Sequence, residues 1–283
     1  MKLVIGSVQL GRKYGLVDGK RVTTSEVFKI QNLIYKSKIS FIDTSANYGN
    51  SEKKIGNSEL RNLNIITKFK LPKKIVNIKK WTDLKIKTSL SNLKTNRIYG
   101  LLIHDVRDIF GKKGKEYLKC LYYLKKIGIV KYIGLSVYSP KDLEKVWMFW
   151  RPDIVQLPFN IFDQRFLHSN WLLKLKKNKV KIFVRSCFLQ GLLVSDYLLL
   201  AKFKKYHKYL NFFRDWCRVN KISRKKACIH FIKKHSNLIN FLIIGFNNHV
   251  QLKEIIKIYK QKTVSIPYVF RNENLSLIDP RRW

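Results

Sequence analysis

The sequence predicts a single (β/α)8 barrel, an α/β fold of the TIM type, over residues 1–283. Three observations predict it. Eight short runs are apolar on both faces, as strands of a parallel sheet covered by helices must be. Helix-like segments with apolar spacing alternate with these runs. No Pro/Ser-rich linker divides the 283 residues, a length close to the roughly 250 of one such barrel.

The elements follow in order. "LVIGSVQ" (Leu3–Gln9) is the first strand. Gln9–Lys20 then reads as a loop or hairpin with Asp18-Gly19 as its turn. This region lacks G-x-G-x-x-G, and the spaced Gly6 and Gly11 lack the Lys-Ser/Thr of a phosphate loop. That disfavours the runner-up architecture, an open doubly wound sheet. "TTSEVFKIQNLIYKS" opens with the capping-box pair Thr23 and Glu26 and continues as a helix. "FIDTS" (Phe41–Ser45) and "NIITKF" (Asn64–Phe69) are strands two and three, with "WTDLKIKTSLSNLKT" the helix after them. "GLLIHD" (Gly100–Asp105) leads to the helix "GKEYLKCLYYLKKIG", and "YIGLSV" (Tyr132–Val137) to "PKDLEKVWMFW". "IVQLPF" (Ile154–Phe159) and "IFVRSC" (Ile182–Cys187) come next, then the helix "SRKKACIHFIKKHS". "FLIIGF" (Phe241–Phe246) and the helix "NHVQLKEIIKIYK" close the barrel. Residues 264–283 read as a C-terminal tail packing over one end, with Trp283 either covering the pocket or simply packed.

The net charge of +40 invites a nucleic-acid reading, but its distribution argues against one. Lysines sit in nearly every segment between apolar residues at helical spacing, as in "WLLKLKKNKVKIF", with no basic arm, RNP pattern or finger spacing. A solvated lysine surface is the reading, with loose, salt-sensitive binding to polyanions and no specific nucleic-acid partner. Cys120, Cys187, Cys217 and Cys228 form no C-x-x-C pair, so neither disulfides nor a zinc site is expected, and a reducing cytoplasm fits. The apolar start "MKLVIGSVQLG" is too short for a signal peptide. No run approaches the ~20 apolar residues of a membrane span. Oligomeric state is left open.

Catalysis on such a barrel sits at the C-terminal strand ends. Strand two ends at Asp43 with Tyr48 just beyond, strand three at Lys68 and strand four at His104. Each alone has a bland reading, as a helix cap, packing residue or surface lysine. Together they put a carboxylate, a phenol, an amine and an imidazole at one rim.

"FIDTSANYGNSEKKIG", "IITKF" and "LLIHD" resemble the aldo-keto reductase signature, from about Leu3 to Tyr259. The resemblance implies a catalytic tetrad of Asp43, Tyr48, Lys68 and His104 and NAD(P)H-dependent reduction of an aldehyde or ketone. Tyr48 is then the general acid, although a phenol with an ordinary pKa near 10 yields its proton reluctantly. Lys68 would lower that pKa, Asp43 would hold Lys68, and His104 would hydrogen-bond the carbonyl oxygen. It also implies cofactor contacts. Ser136 and Gln156 would hold the nicotinamide amide, with Val137 where the family often has Asn. Arg185 would stand for the stacking aromatic. Ser186, Phe188, Gln190 and Gly191 would lie near the pyrophosphate. Asn247, Asn248 and Gln251 replace the basic residues usual for a 2′-phosphate. NADP(H) is the family default and NAD(H) an open alternative. "VQLPFNIFDQR", "RSCFLQGLL" and "DPRRW" resemble a bacterial branch associated with polysaccharide or sugar biosynthesis, which implies a sugar derivative as the small-molecule carbonyl substrate. Asn160, Asp163, Gln164, Arg165 and His168 read first as a capped helix start with a salt bridge, and second as contacts to such a substrate. The residues also admit net oxidation of an alcohol, with Tyr48 as phenolate base. They admit a cofactor-binding sensor subunit without turnover as well.

Overall fold

The computed structural model describes residues 1–16, 22–195 and 201–283; the expected Asp18-Gly19 turn lies outside them. Eight parallel strands pair in sequence order and close on themselves. They are β1 (Lys2–Gly6), β2 (Phe41–Asp43), β3 (Asn64–Phe69), β4 (Ile98–Ile103), β5 (Val130–Ser136), β6 (Ile154–Pro158), β7 (Lys181–Arg185) and β8 (Phe241–Ile244). Val4 lies beside Ile243 across the closing pair.

Strand alternation explains both the core and the site. Side chains two apart on a strand share a face. Val4, Phe41, Ile66, Leu102, Ile154, Phe183, Phe241 and Ile243 form an apolar cluster of their own, and Phe183 stacks on Phe241 with ring centroids 4.1 Å apart. Two residues further along β2, β3, β6 and β7 come Asp43, Lys68, Gln156 and Arg185. Two past Leu102 comes His104, directly after β4. The parity that plugs the barrel with hydrocarbon therefore delivers polar groups to its C-terminal mouth. The alternate residues on each strand, such as Ile5, Ile42, Leu101 and Val155, join the second cluster, which packs against the helices.

The helices of residues 24–36, 78–93, 111–126, 140–147, 224–233 and 249–260 match the amphipathic segments read from the sequence. Thr23 caps the first of these by accepting from the Glu26 amide at 3.3 Å. The Glu26 carboxylate does not complete the capping box. It receives the His249 amide and lies 2.6 Å from His249 Nδ1, joining the first of these helices to the last.

Two local differences from expectation appear. β1 stops at Gly6, and the chain passes through Ser7 (φ −107°, ψ 10°) into a helical turn, Val8–Gly11. That turn is entirely buried, so its composition reads like a continued strand. Between β7 and β8 there is a further helix, His207–Val219, with Leu210, Phe213 and Cys217 buried. In the tail, Phe270 packs on Phe212, Phe213 and Trp216, and Trp283 packs on Phe203 at 4.9 Å. Trp283 does not line the barrel-mouth cavity. No described helix is long and apolar enough to cross a membrane.

Candidate active site

Asp43 and Lys68 meet at the barrel mouth because β2 and β3 pair in parallel. Lys68 Nζ donates to both Asp43 oxygens and to the Thr44 carbonyl, each at 2.7 Å. Gln156 Nε2 donates to Asp43 Oδ1 at 2.7 Å from across the barrel. Burial lowers the Lys68 pKa, and the Asp43 carboxylate opposes the shift.

Tyr48 reaches the same point from the loop after β2. Its amide donates to the Ser45 carbonyl and its carbonyl accepts from the Ser51 amide. Glycines fix that loop's height. A Cβ on Gly11 would sit 1.6 Å from the Tyr48 carbonyl oxygen, and one on Gly49, at φ +58°, 2.6 Å from the Gly11 oxygen. Only hydrogen fits between the two backbones. Behind the loop, the buried Glu52 carboxylate accepts from Thr67 Oγ1 at 2.7 Å and Ser89 Oγ at 3.0 Å, tying the helix Ser51–Gly56 to β3.

The Lys68 ammonium lies 5.2 Å from the Tyr48 ring centroid, and His104 meets that ring edge-on at 5.8 Å. The expected lowering of the Tyr48 pKa by Lys68 does not appear. Burial first, and the Asp43 charge second, push the phenol up, with Arg185 and Arg12 opposing. The ammonium's donors are already taken by Asp43 and Thr44, which leaves Tyr48 a neutral phenol. The His104 pKa is lowered to about 3, by burial and then by the Lys68 charge, so its imidazole is neutral.

These groups open on a cavity of about 550 Å³ lined by Asp43, Tyr48 and His104, with Lys68 beneath. Ser136, Gln156, Arg185, Ser186, Phe188, Gln190, Gly191, Asn247 and Gln251 line it too. Asn248 does not. It caps the helix His249–Lys260 by accepting from the Gln251 amide at 2.9 Å, and Gln251 Oε1 in turn accepts from the Asn247 amide. Past β7 the backbone is left-handed at Ser186, Leu189, Gln190 and Gly191, a conformation that non-glycine residues adopt at a cost and that concentrates at ligand-binding segments. The Gln190 carbonyl accepts from Leu16, so this segment is tied to the loop after β1.

Arg185 bonds the Val137 carbonyl at 3.0 Å and lies over the Tyr138 ring at 4.0 Å, with Arg281 of the tail over the same ring at 3.7 Å. Arg281 is held by Asp279, two residues earlier, through bonds of 2.9 and 2.5 Å. Asp163 holds Arg165 in the same way at 2.8 and 2.7 Å, and Asp105 holds Arg107 at 2.9 and 2.5 Å. None of these clamped residues lines the cavity. Asn160, Gln164 and His168 do not line it either, although Asn160 Nδ2 donates at 3.1 Å to the carbonyl of the lining residue Ser186, and Gln164 Nε2 donates to the Tyr268 carbonyl in the tail.

Several lining residues were not singled out by sequence. Tyr14 and Tyr138 add two phenols to the wall, and burial, with Tyr48 next, pushes Tyr14 up to about 12. Both follow strand ends in loops, a position that could have flagged them. Lys225 lines the cavity as well and is paired with Glu254. Gln9 is 7% exposed, lines the cavity, and its Oε1 has no hydrogen-bond partner. A buried acceptor without a donor is a place for a ligand or water, and this one fits a ligand rich in hydroxyl and amide donors, such as a nicotinamide dinucleotide.

A family model described as "Aldo/keto reductase family" matches residues 2–266. No curated protein matches the chain by sequence. Among solved structures, the aldo-keto reductase AKR11C1 from Bacillus halodurans in its holo form aligns with a TM-score of 0.73 at 17% identity, covering 93% of this chain and 88% of that one. The glycerol dehydrogenase AKR11B4 from Gluconobacter oxydans aligns with a TM-score of 0.70 at 17% identity, covering 93% and 87%. At that identity the likeness is one of fold.

Proposed function

The chain belongs to the aldo/keto reductase family, and from that premise we propose that it reduces an aldehyde or ketone carried by a sugar derivative, with NADP(H) as cofactor and Tyr48 as proton donor. One observation carries the reading. Asp43, Tyr48, Lys68 and His104 converge at one cavity, with the Lys68 ammonium and the His104 imidazole both against the Tyr48 ring.

A bound nicotinamide supplies the hydride. Gln156 has its amide N–H on Asp43 and offers its carbonyl oxygen to the cofactor's carboxamide beside Ser136. Arg185, Ser186, Phe188, Gln190 and Gly191 are assigned to the nicotinamide and pyrophosphate side and Asn247 and Gln251 to the adenosine end, while Asn248 is left to its helix cap. Lys225, which also lines the cavity and is paired with Glu254, would be a cation available to a 2′-phosphate where the usual basic residues are absent.

The raised pKa leaves Tyr48 resting as a neutral phenol, the protonation state from which reduction begins. A buried neutral phenol is an acid in waiting. It is a poor donor to a resting carbonyl but a good one to the alkoxide that hydride delivery creates, a far stronger base than a phenolate. Asp43 keeps Lys68 charged and in place. Arg185 and Arg12, the cations that oppose the rise in the Tyr48 pKa, stabilise the phenolate as it forms.

Titration of the purified protein with NADPH and NADH, followed by fluorescence, tests the reading. Saturable binding, tighter for NADPH, is expected, and Tyr48→Phe is expected to lose most turnover on a carbonyl panel with cofactor affinity unchanged. Binding of neither nucleotide, or full turnover by Tyr48→Phe, refutes it.

A further inference from the structure

We propose that Arg185 makes the cavity select the reduced nicotinamide over the oxidised one, and that Arg281 of the tail is a positioning residue that holds Arg185 to this task through the Tyr138 ring. The proposal rests on the reductase reading above and deepens it to the oxidation state of the cofactor.

Arg185 is the last residue of β7 and lines the cavity. An arginine side chain stays charged in a protein and has five N–H donors and no acceptor. Here its partners are neutral. Nη2 donates to the Val137 carbonyl at 3.0 Å and Nη1 to Ser186 Oγ at 3.3 Å. Among the described residues that line the cavity, the only acid is Asp43. Both Asp43 oxygens already receive the Lys68 ammonium. The Arg185 charge is therefore uncompensated, and it is felt across the site. Burial raises the Tyr48 pKa, and Arg185 opposes the rise. Burial and then Lys68 lower the His104 pKa, and Arg185 adds to the fall.

The guanidinium is also braced. Its carbon lies 4.0 Å from the Tyr138 ring centre, and that of Arg281 lies 3.7 Å from the same centre. Two guanidinium groups that close to one ring centre cannot share a face without overlapping, so the ring is held between them. Each contact is a cation–π attraction. Arg281 does not line the cavity, and its own charge is taken by Asp279, whose side chain is 3% exposed. The stack thus sets one neutralised cation behind the wall and one bare cation in it.

A reduced nicotinamide ring is neutral, and an oxidised one carries a positive charge. The phosphates are the same in both forms and cancel from the ratio of the two affinities. What remains is the ring charge against Arg185, a like-charge pair in a part-buried site where Coulomb interactions are stronger than in water. A neutral aromatic in place of Arg185 would make no such distinction. During turnover the phenolate left on Tyr48 offsets the new ring charge. Once Tyr48 is reprotonated the repulsion is unopposed, and the site favours release of the oxidised form.

Titration calorimetry on the cofactor-free protein gives both dissociation constants without substrate or turnover. It is run in about 0.5 M salt, where the Debye length is only about 4 Å and the lysine coat is screened. NADPH should bind about 10-fold or more tightly than NADP+. Arg185→Met removes the charge and should bring the ratio to within about 3-fold of unity, chiefly through tighter NADP+. Asp279→Asn combined with Arg281→Met removes one stacked plane with no change in net charge, and its ratio should fall between those two. A merely structural role for the tail would weaken both forms alike and leave the ratio where it was. Equal affinities in the unsubstituted protein, or an unchanged ratio in Arg185→Met, overturn the selection. An unchanged ratio in the double variant removes Arg281 from the positioning role. If Arg185→Met does not fold, the ratio in the unsubstituted protein still decides the selection. Binding of neither form overturns the cofactor reading and the selection together, whereas equal binding of both overturns the selection and leaves the reductase reading intact.

Discussion

Replacing Lys68 by methionine tests whether the site is held by a buried charge pair. Lys68 and Asp43 have side-chain exposures of 1% and 6%. The ammonium makes three bonds of 2.7 Å, two to the carboxylate and one to the Thr44 carbonyl. Lys68→Met leaves the carboxylate buried with only Gln156 Nε2 as donor. Breaking a buried pair from one side costs about 3–5 kcal/mol, chiefly through the charge left behind. Asp43→Asn strands the ammonium in the same way. The double variant strands nothing, so its loss should fall short of the sum of the singles by about 2 kcal/mol, within the usual range for residues in contact. Urea unfolding of all four proteins measures the cycle through the shift in midpoint at constant slope. Additivity within about 0.5 kcal/mol, the behaviour of independent sites, refutes the reasoning.

Two further perturbations follow from the geometry. Gly11→Ala should destabilise by about 1–3 kcal/mol, the cost of overpacking, and depress kcat more than it weakens cofactor binding, because the new Cβ would displace the Tyr48 carbonyl; a silent substitution in thermal melts and turnover would contradict the close approach. Asp108, whose carboxylate accepts from the Leu71 amide at 2.8 Å, is pushed up to about 6 from an ordinary 3.8, chiefly by burial. The folded state then keeps a proton that the unfolded state has released, so this group favours folding fully below pH 3.8 and loses its contribution as pH rises through about 6. Asp108→Asn should remove that loss and raise the urea midpoint at pH 8 relative to the parent but not at pH 4; an equal shift at both would refute it.

The legible parts of the molecule are those where one-dimensional pattern and three-dimensional role coincide. β3 from Ile65 onward and β6 are buried on both sides and therefore read as mainly apolar runs. Asp43 and Lys68 could be found because each interrupts such a run near its end, whereas Gln156 and Arg185 followed only from the family resemblance. β1 was overextended because Val8, Gln9 and Leu10 are buried in a helical turn, and burial alone does not distinguish a turn from a strand. The direction of the Tyr48 shift was misjudged for a different reason. Sequence places a lysine beside a tyrosine, but not the saturation of that lysine by Asp43 and Thr44. Asn248 matched a cofactor position by register, while its side chain is committed to the cap.

The Asp-x-Arg clamps at Asp105, Asp163 and Asp279 have a consequence for ionic strength. The chain has 18 acidic residues against 58 basic ones, and these three neutralise arginines two positions away at contact distances of 2.5–2.9 Å. The lysine coat acts at a distance and fades as the Debye length contracts from about 10 Å at 0.1 M salt to about 3 Å at 1 M. A clamp shorter than either length, with its partners joined by two peptide units, hardly responds to that change. Added salt therefore strips polyanions from the outside of this protein while Arg165 and Arg281 stay where the loops put them.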